Sequence, residues 1–333
     1  MRTVSLSVAN YCVPCRSCCR YCLLNACHQA SGVSYARGKR FFQRLFPELS
    51  KARPDLRGAY YIGYCMDTPD LMDYIHFSRE IGSASGEFLQ MNGFAFRSQP
   101  QWEALTDSLR EAGVSLIDLT FYGLEAYHDR FAGRQGDYAQ LCALLKAAGK
   151  AGLPVRASMP LIRENAAQAQ ELMDILGPLG VGAWFFFLPH SKGRGIALAD
   201  QRLTRRELDG LSPAVQSRFN AALYQTEAEW LQSLPQDQPQ DRHLTLVLTA
   251  DEMDHLDEAP AVAILGRLEA LDDQYRRSMP PPDALARKYG NPANDQLFRF
   301  RDLLLLWQQR FIRDTGGQIW DMRDETHHFS VYL

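Results

Sequence analysis

The chain of 333 residues has no run of about 18 apolar residues, so no stretch of it is expected to span a membrane. Charge is nearly balanced, with 36 Lys and Arg against 39 Asp and Glu for a formal net charge of -3, which gives no global pull towards nucleic acid or anionic lipid. The opening MRTVSLSVANYC is too short and too polar for a signal peptide, so a cytoplasmic protein is expected. No solenoid-type repeat is present. Cysteine is scarce outside one place: only Cys65 and Cys142 lie beyond the run that starts at Cys12, and none follows Cys142. That absence excludes a second cysteine-rich site in the C-terminal half. In a reducing compartment the crowded cysteines then read as a metal site and not as a disulfide framework.

What is there is the stretch from Asn10 to His28, NYCVPCRSCCRYCLLNACH, which holds Cys12, Cys15, Cys18, Cys19, Cys22 and Cys27. Thiolates crowded this closely are unfavourable unless a cation binds them or they pair as disulfides. Soft sulfur donors select zinc, copper(I) or iron–sulfur clusters. Two spacings overlap. Cys15, Cys19 and Cys22 form C-x3-C-x2-C with Tyr21 before the last cysteine, whereas Cys12, Cys15, Cys18 and Cys22 form C-x2-C-x2-C-x3-C, the bacterial ferredoxin spacing. The ferredoxin pattern carries Pro after its last cysteine, and here Leu23 follows. A structural zinc knuckle is the third reading, with Cys12 or Cys18 as fourth ligand.

Periodicity places these residues in an alternating α/β chain. Strands are expected at 3–9, 59–64, 87–91, 114–121, 154–161 and 181–188, with helices between them that start or stop at Pro69, Gly113, Gly152 and Asn165. Such alternation signifies βαβ units and a parallel sheet. The strand VGAWFFFL reads as buried on both faces. After Gly195 the pattern turns helical over 203–211 and 214–234, passes a polar linker QDQPQD, and resumes with the strand LTLVLT, an acidic helix from Asp251, a break at PPP and an amphipathic helix over 294–313.

A cysteine loop after the first of six βα units resembles the radical S-adenosylmethionine (SAM) superfamily, whose signature is C-x3-C-x2-C with an aromatic residue before the last cysteine. The resemblance covers roughly residues 1–200. It implies a partial (β/α)6 barrel over 1–200, with a mostly helical C-terminal extension over 201–333 covering the barrel mouth. It also implies a [4Fe–4S] cluster on Cys15, Cys19 and Cys22, with SAM bound at the open iron. The implied chemistry is reductive cleavage of SAM to a 5′-deoxyadenosyl radical that abstracts hydrogen from a substrate. Flavodoxin or ferredoxin is implied as electron donor. Cys12, Cys18 and Cys27 are surplus under this reading.

The same resemblance assigns SAM contacts at strand ends, where catalytic loops of such barrels lie. Tyr21 meets the adenine. Met66-Asp67-Thr68-Pro69 stands where the family has Gly-Gly-Glu-Pro, so Asp67 and Thr68 line the methionine amino group, with capping of the following helix as the alternative for Asp67. QMNG places Asn92, DLTFYG places Thr120, PVRASMP places Arg156 to grip the SAM carboxylate, and the aromatic sixth strand places Phe187 against adenine. DLTFYG, YHDRFAGRQGD and the turn at Pro189–Arg194 resemble the peptide-modifying branch, which points to a ribosomal peptide as substrate. A small polar metabolite is the alternative, and an iron–sulfur electron carrier or zinc module the non-enzymatic one. No catalytic side chain is assigned; His128, His190, His327 and His328 are candidates for substrate contact or structure, and Arg323, Asp324, His327 and His328 are expected to face the cavity from the tail.

Overall fold

The computed structural model describes residues 4–23, 27, 30–63, 65–83, 87–234 and 242–316. Its first part alternates strand and helix: β1 (Val4–Ala9), α1 (Tyr35–Ala52), β2 (Arg57–Tyr61), α2 (Leu71–Glu80), β3 (Phe88–Gln90), α3 (Gln99–Glu111), β4 (Leu116–Thr120), α4 (Glu125–Ala132), α5 (Asp137–Ala151), β5 (Val155–Pro160), α6 (Ala169–Leu176) and β6 (Val181–Phe187). The second part holds α7 (Arg205–Asp209), α8 (Pro213–Gln216), β7 (Gln225–Thr226), α9 (Glu227–Gln232), β8 (Arg242–Val247), α10 (Ala250–Glu258), α11 (Ala261–Ser278), α12 (Pro282–Tyr289), β9 (Leu297–Phe298) and α13 (Phe300–Thr315).

Seven strands run parallel in two sheets, β2-β1-β8 and β3-β4-β5-β6, β7 and β9 pair antiparallel, and a parallel bridge from Phe186 to Phe219 extends the outer edge of β6. The parallel α/β chain expected from the alternation, and with it the partial barrel that the resemblance implies, is therefore present. Each strand turns apolar side chains outward to the helices. Val4, Leu6 and Val8 of β1 join Phe42, Leu45 and Leu49 of α1 in one core that also takes Leu244 and Leu246 of β8. Each such buried side chain contributes about 1.5–3 kcal/mol.

The LTLVLT strand sits in an unexpected place. Although it follows the linker, β8 pairs along the whole of β1, from Val4 opposite Arg242 to Ala9 opposite Val247. Its alternation explains the choice. Arg242 pairs with Asp272 of α11, while Leu244 and Leu246 are buried on that same helix side. Ser5, Ser7, His243 and Thr245 then occupy the other face. The two serines stay half-exposed although β1 is a central strand, so this face borders an open lumen.

Other expectations changed. The helix read over 214–234 breaks into α8, a short 3-10 turn, β7 and α9, because Thr226 with Glu229 forms a capping box that starts a new helix. The strand β6 is not covered on both faces: Gly182 and Ala183 are exposed at its start. The helix α4 lies in the stretch read only as a motif. The tail is helical apart from β7, β8 and β9, and it has its own small core of Leu285, Phe298, Leu303 and Trp307. The buried Glu227 carboxylate in it accepts from Trp307 Nε1 at 2.8 Å and from the Asn291 backbone at 2.9 Å.

The tail is locked to the barrel through the loop after β6. Asp302 of α13 accepts from His190 Nδ1 at 3.2 Å, and Gln309 donates to the Ser191 carbonyl at 2.9 Å. Burial holds the His190 imidazole below its ordinary value; Asp302 opposes this, and Arg301 and Arg299 reinforce it. A histidine kept neutral in the fold binds fewer protons than in the unfolded chain, so stability is full above about pH 6.5 and falls as pH drops below it. The thermal midpoint of wild-type protein should fall between pH 7.5 and 5.5 by more than that of His190→Gln; equal falls in the two proteins would show that this histidine does not govern the loss. No helix among the described residues is long and apolar enough to cross a membrane.

Candidate functional site

The cysteine loop leaves the C-terminal end of β1 and is tied at its base. Asn10 is fully buried, donates to Tyr60 Oη at 3.1 Å and accepts from Ser31 Oγ at 2.6 Å. Ser31 N donates to the Tyr11 carbonyl at 2.9 Å, and Ala250 N just beyond β8 donates to the Ser31 carbonyl at 2.8 Å. Thus both ends of the loop meet over β1, and β8 helps to close it.

Three neighbouring segments clamp its middle. Arg16 N donates to Gly93 O at 2.9 Å, Cys18 N to Ala132 O at 2.8 Å and Arg20 N to Phe131 O at 3.0 Å. From the other side Arg194 N donates to Cys22 O at 2.9 Å. Gly93 has φ +76°, and a Cβ there would fall 2.1 Å from Cys15 Sγ. The Asn-Gly pair after β3 is therefore required by both its backbone and the thiol above it.

The cysteines divide. Cys18 and Cys27 form a disulfide with Cα atoms 5.4 Å apart, an ordinary spacing for a bridge. The expectation that the loop holds no disulfide is corrected at this one pair, since the loop folds Cys27 back onto Cys18. A bridged Cys18 cannot serve as a thiolate, which removes one ligand of the ferredoxin spacing and one candidate for the fourth zinc ligand. Cys19 is buried, with its Sγ 2.9 Å from Tyr122 Oη, and burial pushes its thiol up. The Cys15 thiol is lowered, chiefly by its hydrogen bond with Cys65 in the loop after β2, whose Sγ also lies 3.3 Å from Gly93 O. Burial pushes Cys12 up to about 11.

This donor set fits an iron–sulfur cluster. A thiolate at Cys19 needs a cation beside it, because burial alone disfavours the charge. Cys15 and Cys22 are close enough to Cys19 for their charges to be felt there. Among the described residues no three His, Cys, Asp or Glu side chains converge on one point as a single zinc ion requires. A cluster asks for less, because each thiolate binds its own iron.

The strand ends supply the rest. Tyr21 packs its ring 5.5 Å from Tyr122 and 6.1 Å from Phe187 and from Phe131, between the loop and the ends of β4 and β6. Asn92 locks β3 to β4: its Nδ2 donates to Thr120 O at 2.8 Å and its Oδ1 accepts from Thr120 N at 2.7 Å. Arg156 donates through Nε to the buried Asp118 at 2.9 Å and lies between Phe88 and Phe185. Its side chain keeps 30% exposure at the second residue of β5, opposite Ala183 near the exposed start of β6 and away from the strand ends that carry the loop. Ser158 also donates to Asp118, at 2.7 Å.

Asp67 is placed differently. It accepts from Ala95 N at 2.6 Å and pairs with Arg97, while Thr68 Oγ1 accepts from Asp70 N at 3.2 Å in the turn before α2. The residue at the α2 N-cap is Asp70, so the capping alternative for Asp67 is not what the fold uses. His128 is fully buried, accepts from Tyr122 N at 3.1 Å and meets Asp137 at 3.2 Å; it braces α4 beneath the loop. His190 belongs to the tail anchor. Arg323, Asp324, His327 and His328 lie outside the described residues. Sequence reasoning passed over Tyr122, Cys65, Gly93 and Asp118. Tyr122 and Gly93 stand inside the quoted motifs DLTFYG and QMNG, and Asp118 opens the first of them.

No protein-family model matches the chain. It is 28% identical over 102 residues to the AdoMet-dependent heme synthase of Oleidesulfovibrio alaskensis, a match covering 30% of this chain and 26% of that protein. The chain thus spans about a quarter of the curated relative it matches. Among solved structures it is similar to HemN, the coproporphyrinogen III oxidase of Escherichia coli described as a radical SAM enzyme, at 16% identity and TM-score 0.42 over 74% of this chain and 63% of that one. It is also similar to Streptococcus suis SuiB bound to the precursor peptide SuiA, at 14% identity and TM-score 0.42 over 57% and 40%. The third is the radical SAM methyltransferase TsrM of Kitasatospora setae with cobalamin and a [4Fe–4S] cluster, at 13% identity and TM-score 0.38 over 66% and 41%.

Proposed function

We infer that this chain is a member of the radical SAM superfamily, an enzyme that cleaves SAM reductively at a [4Fe–4S] cluster and turns the resulting radical on a substrate in the barrel lumen. The observation that carries the reading is the division of the cysteine loop. Cys18 is withdrawn into a disulfide, while Cys15, Cys19 and Cys22 keep the C-x3-C-x2-C spacing above the C-terminal ends of parallel strands. When bound, the cluster supplies the electron that splits the sulfonium of SAM to methionine and a 5′-deoxyadenosyl radical.

This chain's own residues bind and shield. Cys15, Cys19 and Cys22 hold the cluster, and Tyr122 hydrogen-bonds the sulfur of Cys19. Tyr21 and Phe187 offer aromatic surface for adenine. The Arg156 fork, held in place by Asp118, takes the SAM carboxylate. Asp67 and Thr68 stand on the adjoining loop, with Asp67 engaged by Arg97. The aromatic ring around Tyr21 and the tail behind the β6 loop keep water from a reactive intermediate.

The substrate reading leans to a ribosomally made peptide. Its support is the DLTFYG and YHDRFAGRQGD likeness, together with a lumen face on which Ser5 and Ser7 stay half-exposed, suited to a neutral, hydrogen-bonding chain. A flavodoxin or ferredoxin is the proposed electron donor.

After anaerobic reconstitution the protein should hold one cluster, about four irons per chain, whereas about eight would mean that further cysteines were wrongly set aside. Arg156→Lys should weaken SAM binding by about 1–3 kcal/mol, because a point charge cannot replace a planar fork shared between Asp118 and the ligand. An unchanged affinity by calorimetry would move the carboxylate contact elsewhere.

A further inference from the structure

The three cysteines of the C-x3-C-x2-C spacing do not stand alike. Cys15 and Cys22 are half-buried, whereas Cys19 is 7% exposed. It lies in a small apolar core of its own with Tyr122, Phe131, Ala132, Ile162 and Leu198, against which Tyr21 packs. Its sulfur makes one side-chain hydrogen bond among the described residues, with Tyr122 Oη at 2.9 Å. A tyrosine hydroxyl keeps its proton at neutral pH, and a sulfur bound to iron has none to give, so with a cluster seated the hydroxyl is the donor.

The hydroxyl is fixed in that position. Tyr122 is 1% exposed, and its ring centroid lies 4.8 Å from that of His128 and 4.8 Å from that of Phe131. Its backbone is pinned at both polar atoms: N donates to His128 Nδ1 at 3.1 Å, and the carbonyl accepts from Asn165 Nδ2 at 2.8 Å. His128 is held in turn by Asp137 at 3.2 Å. Behind the ring, the Tyr21 hydroxyl hydrogen-bonds both Tyr122 and Thr120. A row of hydroxyls thus runs from Thr120 through Tyr21 and Tyr122 to Cys19, and in such a row each hydrogen bond polarises the next.

Two effects of opposite sign meet at this sulfur. Burial among apolar side chains disfavours negative charge, so by itself the Cys19 environment makes a cluster harder to reduce. A hydrogen bond to the ligand sulfur favours the added electron. Resting on the radical SAM reading, we propose that Tyr122 tunes the cluster: its hydroxyl donates to the Cys19 sulfur and raises a reduction potential that the apolar wall alone would push down. Tyr122 acts through Cys19 and is a positioning residue. The competing role is packing alone, which the ring fills whether or not it carries the oxygen.

Tyr122→Phe separates the two roles, because it keeps the ring between His128 and Phe131 and removes one oxygen. Full-length protein, reconstituted anaerobically and kept free of SAM, is titrated potentiometrically, with the electron paramagnetic resonance signal of the reduced cluster as readout. Iron and sulfide per chain should match the wild type. The one-electron reduction equilibrium should move against reduction on the order of tenfold, which lowers the midpoint by about 59 mV. Tyr21→Phe, which removes the hydroxyl behind Tyr122, should move the midpoint in the same direction by less. In protein reconstituted in D2O, the reduced wild-type cluster should couple to one exchangeable deuteron that is missing from Tyr122→Phe. An unchanged midpoint at equal iron overturns the tuning role and leaves the cluster on Cys15, Cys19 and Cys22 standing. Loss of iron from Tyr122→Phe also overturns it and makes the hydroxyl a support for seating the ligand. So does a Tyr21→Phe midpoint at or above that of the wild type. A wild type that takes up no cluster overturns the radical SAM reading and the tuning role together.

Discussion

Cys15→Ala, Cys19→Ala and Cys22→Ala should each abolish SAM cleavage, while Cys12→Ala and Cys18→Ala should retain most of it. Each of the first three removes one thiolate from a cluster that has three, and no spare ligand stands ready. Cys65 hydrogen-bonds Cys15, but it also lies against the Gly93 carbonyl and is itself pushed up by its contact with Cys15. Cys18 sits in the disulfide with Cys27, so its replacement opens a bridge without taking a ligand. The ferredoxin spacing predicts the reverse pattern, with Cys18 essential and Cys19 dispensable. An inactive Cys18→Ala beside an active Cys19→Ala would contradict the assignment of this loop.

Gly93→Ala should empty the cluster site without replacing a ligand. A left-handed residue with a Cβ costs about 1–2 kcal/mol, and at this position the added carbon also falls 2.1 Å from Cys15 Sγ. The neighbouring strands fix Gly93, since Asn92 is bonded on both sides to Thr120, so Cys15 must move instead. Iron and sulfide per chain should fall by more than half, with the circular dichroism of the wild type preserved. Gly82→Ala is the control: φ is +71° there too, but nothing lies within 4 Å of the added carbon. If the two variants retain equal iron, the close approach of Gly93 to Cys15 has no bearing on the cluster.

Much of this arrangement was legible in the sequence because it is written locally. The strand at β1, the run of βα units and the cysteine spacing each depend on residues within one turn or one strand of each other. What escaped was long-range. Asp67 reads as a capping or ligand carboxylate until Arg97, a loop away, is seen to claim it. The loop's own bridge from Cys18 to Cys27 depends on a fold-back that spacing does not encode. LTLVLT reads as a strand from its alternation, but nothing in it names β1 as its neighbour. That choice rests on Arg242 finding Asp272 and on Leu244 and Leu246 finding the core of β1. Asn92 was legible as a motif residue, yet its partner Thr120 belongs to a different motif; the two form one clamp. The helix read over 214–234 failed for a local reason, because the capping box at Thr226 outweighs the apolar periodicity that runs through it.

The measurement that tests the central claim most directly is the product of SAM after reduction. The anaerobically reconstituted wild-type protein, given SAM and dithionite, should form 5′-deoxyadenosine and methionine in equal amounts, and Cys19→Ala should form neither. Intact SAM recovered from a protein that carries its full complement of iron and sulfide would contradict the account and leave the loop as an electron-carrying centre.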